Sequence, residues 1–129
     1  MDERERHERG MTVRRAVLGD AHVQAALADR RSLTREFQDL LTRYAWGEIW
    51  DRPGLSRHTR SLLTIAMLVA LNCPEELRLH LRVARNNGVT PDEINEVLLH
   101  AAVYCGLPAA NAAFRLAAEE LSLERSDHP

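Results

Sequence analysis

The chain contains no lysine, because all 17 of its basic residues are arginine. Without a lysine amine it cannot form a Schiff base with a keto acid or with pyridoxal phosphate, which closes two common routes of decarboxylation. Arginine suits carboxylate recognition, since its planar guanidinium presents a fork of donors. The missing lysine therefore excludes one class of covalent chemistry and leaves carboxylate binding open.

Cysteine is scarce, and the strong cofactor and hydrolase motifs are absent. Cys73 and Cys105 are too few for a disulfide scaffold, and their apolar surroundings predict reduced thiols. No HExxH, CxxC, GxGxxG, P-loop or GxSxG pattern occurs. Only His80 and His100 are plausible metal ligands, and no acidic pair is spaced to complete a site. We therefore predict a protein that uses no metal and no cofactor.

Long apolar runs and an excess of one charge are missing as well. The longest apolar run, Leu62–Leu71 with Thr64 inside it, is about half the length of a membrane-spanning helix. The first ten residues mix both charge signs and do not resemble a secretory signal. A net charge of −2, with acids and bases interspersed, favours neither nucleic acid nor a membrane as partner. We expect a cytoplasmic protein whose partners are a small molecule and other copies of itself.

The apolar residues follow helical spacing, and no stretch alternates like a half-buried strand, which predicts an all-α fold. Thr90-Pro91-Asp92-Glu93 has the pattern of a capping box at a helix start, and Gly88 suits the end of the preceding helix. The length predicts a single domain over 1–129, with flexible ends at about 1–10 and 123–129. Helices are predicted at about 4–18, 33–48, 59–71, 74–87 and 109–121, and a further helix starts at Pro91 and is broken at Gly106 and Pro108.

His80 is the first candidate for chemistry. It lies on the apolar stripe of its predicted helix, where an imidazole is either hydrogen-bonded or titrates usefully. Glu76 lies one turn earlier, at a spacing from which a carboxylate can orient the ring. The alternative is a core histidine with an incidental surface glutamate.

The second candidate is the segment Trp46-Gly47-Glu48-Ile49-Trp50, which holds both tryptophans of the chain. It suggests a pocket wall with Glu48 as an acid or base, or else an aromatic helix end that is only packed. His100, Tyr104 and Asn111 surround a helix break at Gly106 and Pro108, where polar side chains either line a cavity or satisfy the helix ends. Further candidates are the possible carboxylate clamps Arg14, Arg15 and Arg60.

Four segments in order closely resemble the carboxymuconolactone decarboxylase family: VRRAVLGDAHV (13–23), YAWGEIWDRPGL (44–55), HTRSLLTIAMLVAL (58–71) and EELRLHLRVARNNGVTPDEINEVLLHAAVYCGLPAANAAFRLA (75–117). The resemblance implies a compact orthogonal bundle of about six helices of the alkylhydroperoxidase D-like superfamily, assembled into a trimeric or hexameric ring. It also favours His80 and Glu48 as catalytic residues. The substrate-binding residues that we then expect are Arg14, Arg15, Trp46, Trp50, Arg60, Glu76, His100, Tyr104 and Asn111.

Peroxidases of the same superfamily carry CxxC, a histidine four residues later, and Gly-x-Thr eight residues beyond the histidine. Here His80 and Gly88-Val89-Thr90 keep this spacing, and Cys73 falls on the first cysteine position. Glu76 occupies the second position, and Ser61 stands where the peroxidases usually carry a glutamate of the proton relay. Because the resolving thiol is missing, the resemblance favours the decarboxylase branch.

The resemblance implies a dicarboxylate lactone as substrate and cofactor-free loss of CO₂, because the substrate carries its own electron sink. The expected reaction converts 4-carboxymuconolactone to 3-oxoadipate enol-lactone in the protocatechuate branch of the β-ketoadipate pathway. Two alternatives are a thiol-dependent peroxidase or reductase that uses Cys73, and a catalytically silent helical oligomer that binds an aromatic-derived acid. The broad apolar faces of 59–71 and 109–121 predict a homo-oligomer.

Overall fold

The structure, a computed structural model, describes residues 1–28 and 32–126. These residues form helices joined by short turns, and none of them is in a strand, which confirms the predicted all-α class. They divide into two compact units, Met1–Arg57 and His58–Pro129. The single domain expected from chain length stays a prediction.

The first unit contains α1 (Glu3–Leu18), α2 (Asp20–Ala28), α3 (Ser32–Leu40) and a π-helix (Leu41–Ile49). Helix α1 begins where the sequence predicted it, and the Asp2 side chain caps its first turn by accepting from the Glu5 amide at 2.8 Å. Helix α2 was not predicted, because its apolar residues form no single stripe. Its four alanines, which have the highest helix propensity, were the signal that could have revealed it.

The π-helix occupies the second half of the helix that was predicted over 33–48. It packs closely on α1 at two glycines, because a β-carbon at Gly10 would overlap the Thr42 carbonyl and one at Gly47 would overlap the Arg6 carbonyl. Short π-helical turns occur frequently at functional sites. This one carries Trp46 and Glu48.

The second unit contains most of α4 (Arg57–Ala70), then α5 (Pro74–Val83), a 3-10 turn (Ala84–Asn87), α6 (Pro91–Cys105) and α7 (Leu107–Ser126). The capping box of Thr90 and Glu93 is present in both directions, as predicted. Gly88 ends the preceding segment in the left-handed conformation with φ of 78°. The core is formed by α4, α5, α6 and α7, with fully buried Ile65, Leu81 and Leu98.

Helices extend into both end segments for which the sequence predicts flexibility, and that flexibility stays a prediction. Residues 3–10 belong to α1, and Arg6 bonds there to Glu48. Helix α7 continues to Ser126, while residues 127–129 of the predicted end lie outside the described residues. Within the part of the chain that the structure describes, no helix is long and apolar enough to cross a membrane.

Candidate active site

His80 lies in the last turn of α5 and is 7% exposed, so its ring is against the core, as the apolar stripe predicted. Its Nε2 is 3.9 Å from Oε2 of Glu76. This is an ion-pair distance but too long for a hydrogen bond. Glu76 itself is exposed, so it provides a nearby negative charge at the α5 surface and does not hold the ring firmly.

Glu48 lies near the end of the π-helix, and its carboxylate accepts a hydrogen bond from the Arg6 guanidinium of α1. Arg52 is a second, looser partner at 3.8 Å. The centroids of the Trp46 and Trp50 rings lie 5.1 Å apart, and the rings are tilted by 34° to each other. Glu48 is therefore half-buried, and an arginine orients its carboxylate.

The predicted arginine clamps have different surroundings. Arg14 is 3% exposed and donates to Thr42 Oγ1 at 3.1 Å and to Gln38 Oε1 at 2.6 Å. Burial, followed by the charge of Arg15, lowers the pKa of Arg14. Arg15 is half-buried and bonds to Gln24 at 3.0 Å, and Arg60 is half-buried on α4.

A groove of about 660 Å³ lies between α4 and α6 in the second unit. His100 and Tyr104 are among its lining residues, and their rings lie 5.0 Å apart. The other lining residues are Thr59, Leu62, Leu63, Ala66, Glu96, Val97, Ala101 and Cys105. Its size and its apolar wall with a few polar groups are typical of small-molecule sites.

The second unit does not bring all of its candidate residues to this groove. His80 and Glu76 on α5, Arg60 on α4 and Asn111 on α7 are not among the described residues that line it. Asn111 is exposed in the second turn of α7. The candidates of this unit therefore form two groups, one at His80 and one at His100 and Tyr104.

The described residues contain no group of three His, Cys, Asp or Glu side chains arranged to hold a metal ion. Cys73 and Cys105 are both free and partly buried. Cys73 is the residue before the first residue of α5 and makes no capping hydrogen bond with its side chain, and its Sγ is 3.8 Å from the Leu71 carbonyl oxygen. Cys105 lies in the groove between α4 and α6.

Residues 35–119, more than half of the chain, match the model of the carboxymuconolactone decarboxylase family. The chain belongs to this family. Its relatives include the 4-carboxymuconolactone decarboxylase of Acinetobacter baylyi, which is 51% identical over 119 residues, 92% of this chain and 89% of the relative. The nitrosuccinic acid decarboxylase of Metarhizium robertsii is 50% identical over 102 residues, 79% of this chain and 71% of that one. A 4-carboxymuconolactone decarboxylase sequence of Pseudomonas putida is 52% identical over 48 residues, which are all of it and 37% of this chain.

The family match confirms the resemblance on which the sequence interpretation relied, and it extends from α3 into α7. The structure adds partners that sequence patterns did not reveal: Arg6 at Glu48, and Gln38 and Thr42 at Arg14. Each pair is separated by at least 24 positions in the chain, so no helical spacing relates its members.

Proposed function

We propose that this chain catalyses the cofactor-free decarboxylation of 4-carboxymuconolactone to 3-oxoadipate enol-lactone and CO₂, in the protocatechuate branch of the β-ketoadipate pathway. The observation that carries the proposal is the 51% identity, over 92% of the chain, to the Acinetobacter baylyi enzyme of that name. The reaction makes the protein a carboxy-lyase that takes part in the catabolism of aromatic compounds.

The decarboxylation requires little of the protein beyond substrate binding and proton transfer. The departing carboxylate is on the ring carbon that is γ to the lactone carbonyl through a C=C bond. When its C–C bond breaks, the electron pair moves through that double bond onto the carbonyl oxygen of the lactone, and CO₂ leaves. The resulting 2-oxyfuran dienolate is then protonated at the α carbon. The protein must hold the carboxylates, donate to the developing oxyanion and deliver one proton.

His80 and Glu48 are the residues proposed for proton handling. His80 has a titratable ring on an inward face, which suits a donor to the oxyanion or to the α carbon. Glu48 has a carboxylate that Arg6 holds in one orientation, and it lies between Trp46 and Trp50 in the sequence. Trp46 is buried and Trp50 is half-buried, so we assign to Trp50 the apolar surface from which a carboxylate departs more readily as neutral CO₂.

Substrate binding is proposed for the remaining candidates. The groove with His100 and Tyr104 is large enough for a lactone of this size, and Arg60, Glu76 and Asn111 belong to the same unit. Arg14 and Arg15 are proposed for carboxylate recognition in the first unit. Because Arg14 is buried, we propose that it does not contact the carboxylate itself and acts through the groups to which it donates hydrogen bonds.

Mixing freshly made 4-carboxymuconolactone with chelator-treated protein and following CO₂ release tests the proposal. We expect release well above the uncatalysed rate, unchanged by EDTA and unchanged in the Cys73→Ser, Cys105→Ser double variant. Release no faster than background contradicts the decarboxylase. Loss of activity in the double variant would favour the thiol-dependent alternative, and binding without release would favour a silent binding protein.

Nitrosuccinate is the second candidate substrate, because the nitrosuccinic acid decarboxylase is 50% identical over 79% of this chain. It is also a dicarboxylate. Loss of the carboxylate from the carbon that bears the nitro group would move charge onto the nitro oxygens, so its demands on the protein are similar. Comparing kcat/KM for the two acids decides between them, and we expect the lactone to be the better substrate.

A homo-oligomeric ring in the cytoplasm completes the proposal. Exposed large apolar side chains on α4, α6 and the start of α7 support self-association: Leu63, Met67, Leu99, Val103, Tyr104 and Leu107. Two free cysteines are typical of proteins in a reducing compartment.

A further inference from the structure

Arg14 is a buried cation, and the described residues offer it no acidic partner. Among the described residues its guanidinium donates only to two neutral oxygens, Thr42 Oγ1 and Gln38 Oε1, and its Nε has no partner. A buried charge with neutral partners alone is costly, because it loses hydration without gaining a counter-charge. This indicates that a negative charge belongs nearby.

A pocket of about 160 Å³ lies beside the two partners of Arg14, within the first unit. Ala26 and Leu27 form an apolar side, and the polar side is formed by His7, Arg35, Gln38, Asp39 and Thr42. At about 30 Å³ per water, the pocket has room for about five water molecules. It therefore fits a carboxylate and the short carbon chain that carries it, while a ring attached to that chain would lie outside the pocket.

The bond to Arg14 sets the direction of the Gln38 amide. A guanidinium has donors only, so the amide oxygen must face Arg14, and the two amide N–H donors point the other way. Thr42 accepts from Arg14 and gives its proton to the Gln38 backbone carbonyl at 3.0 Å. Of these two pocket residues, Gln38 is thus the one with donors left for a ligand.

The charge that is left uncompensated around the pocket is positive. Asp39 is already engaged by His7 at 3.4 Å and by Arg43 at 3.4 Å. Arg35 makes no hydrogen bond or ion pair within the described ranges, so its exposed guanidinium is available at the pocket. A guanidinium beside amide donors matches the two oxygens of a carboxylate.

We propose that this pocket binds a carboxylate group of a small organic acid, with Arg35 and Gln38 in direct contact and Arg14 as the positioning residue that orients Gln38. The acid is either the lactone substrate, through the carboxylate that it keeps, or a separate small acid. In the first case the inference rests on the proposed function. In both cases the pocket binds a carboxylate through the same two side chains.

Succinate is the probe, titrated by calorimetry into the wild-type protein in a buffer without carboxylate or phosphate. We expect saturable binding of succinate and none of succinamide, its uncharged counterpart. Arg35→Gln should weaken the binding about tenfold or more, since a charge-assisted contact is lost. Arg4→Gln is the matched control, because Arg4 is an exposed arginine of the same unit whose one ion-pair partner among the described residues is Glu8. It should bind succinate like the wild type.

Gln38→Glu should change thermal stability and succinate binding in opposite directions. The new carboxylate should pair with Arg14, which raises the Tm, while it repels succinate and abolishes binding. No succinate binding by the wild type, or equal binding by the wild type, Arg35→Gln and Gln38→Glu, would overturn the proposal. Should Gln38→Glu not fold, Arg35→Gln still decides, because that side chain is exposed.

Steady-state kinetics identify the source of the carboxylate. If the substrate occupies the pocket, succinate inhibits competitively and Arg35→Gln raises KM for 4-carboxymuconolactone more than it lowers kcat. If a separate acid occupies it, succinate binds but KM is unchanged in Arg35→Gln. Either result supports the site. Calorimetry measures binding without turnover, so the binding result can be interpreted even if the protein does not catalyse the proposed decarboxylation.

Discussion

His80 combines a titratable ring with almost complete burial, and its Nε2 is 3.9 Å from Glu76 Oε2, which is beyond hydrogen-bond distance. Gln keeps the size and hydrogen-bonding capacity of the ring but does not titrate. If His80 delivers the proton or stabilises the oxyanion, His80→Gln should lower kcat by roughly 100-fold or more. Helicity and the size of the oligomer should change little, which circular dichroism and light scattering will measure.

His58→Gln is the matched control for this substitution. His58 bonds through Nε2 to Glu93 at 2.8 Å, and Glu93 in turn caps α6. The hydrogen bond from His58, with the one from the Thr90 amide, lowers the pKa of Glu93. His58→Gln should therefore lower the Tm with kcat near wild type. If His80→Gln instead behaves like this control, Glu48→Gln becomes the variant to measure.

Among the elements, the contact of α1 with the π-helix depends on close approach at Gly10. Alanine has the higher helix propensity, by about 1 kcal/mol, but its methyl group at this position would overlap the Thr42 carbonyl oxygen. Because a backbone atom cannot move aside cheaply, Gly10→Ala should cost about 1–3 kcal/mol of unfolding free energy. Chemical denaturation measures this cost.

Gly54→Ala is the control, since nothing lies within 4 Å of a β-carbon there. Its unfolding free energy should stay close to that of the wild type. Equal stability of the two variants would contradict the close approach of α1 and the π-helix at Gly10. A loss of activity in Gly10→Ala larger than its loss of folded protein would connect this contact to Glu48.

The contact of α5 with α7 depends on Glu120, which is 3% exposed. Its carboxylate accepts from Arg78 at 3.2 Å and from Arg82 at 3.1 Å, two residues on either side of His80 in sequence. Glu120→Gln should lower the Tm, because a buried carboxylate with two arginine partners is replaced by a neutral amide. The adjacent Glu119→Gln should lower it much less, since Glu119 is half-exposed and Arg78 is its one partner within the described part of the chain. Similar Tm values for both variants would contradict this role of Glu120.

For the whole molecule, the exposed apolar side chains of the second unit predict self-association. Val103 on α6 is 79% exposed, an unusual position for an apolar side chain unless a partner covers it. Light scattering should find an oligomer for the wild type and a smaller species for Val103→Glu, because a buried unpaired charge opposes assembly. Asn95→Glu, an exposed site on the same helix, should leave the size unchanged. A stable wild-type monomer at dilute concentration would exclude the predicted ring.

The sequence was sufficient for features that depend on neighbouring residues. Helical spacing of apolar residues predicted the all-α class, and the capping box at Thr90 and the glycine at 88 marked helix ends that the structure confirms. The burial of His80 followed from its place on an apolar stripe. These features are local, because helix geometry relates residues three or four positions apart.

Other features needed the tertiary structure. The π-helix and α2 give no distinct periodic signal, and Gly10 became informative only when the Thr42 carbonyl was placed against it. The pairing of Arg6 with Glu48 joins residues 42 positions apart, and Arg14 gains Gln38 and Thr42 from 24 and 28 positions away. Spacing along a chain carries no information about such contacts, because the packing of one helix on another creates them. The carboxylate pocket is one result of this packing, since its residues come from α1, α2, α3 and the π-helix.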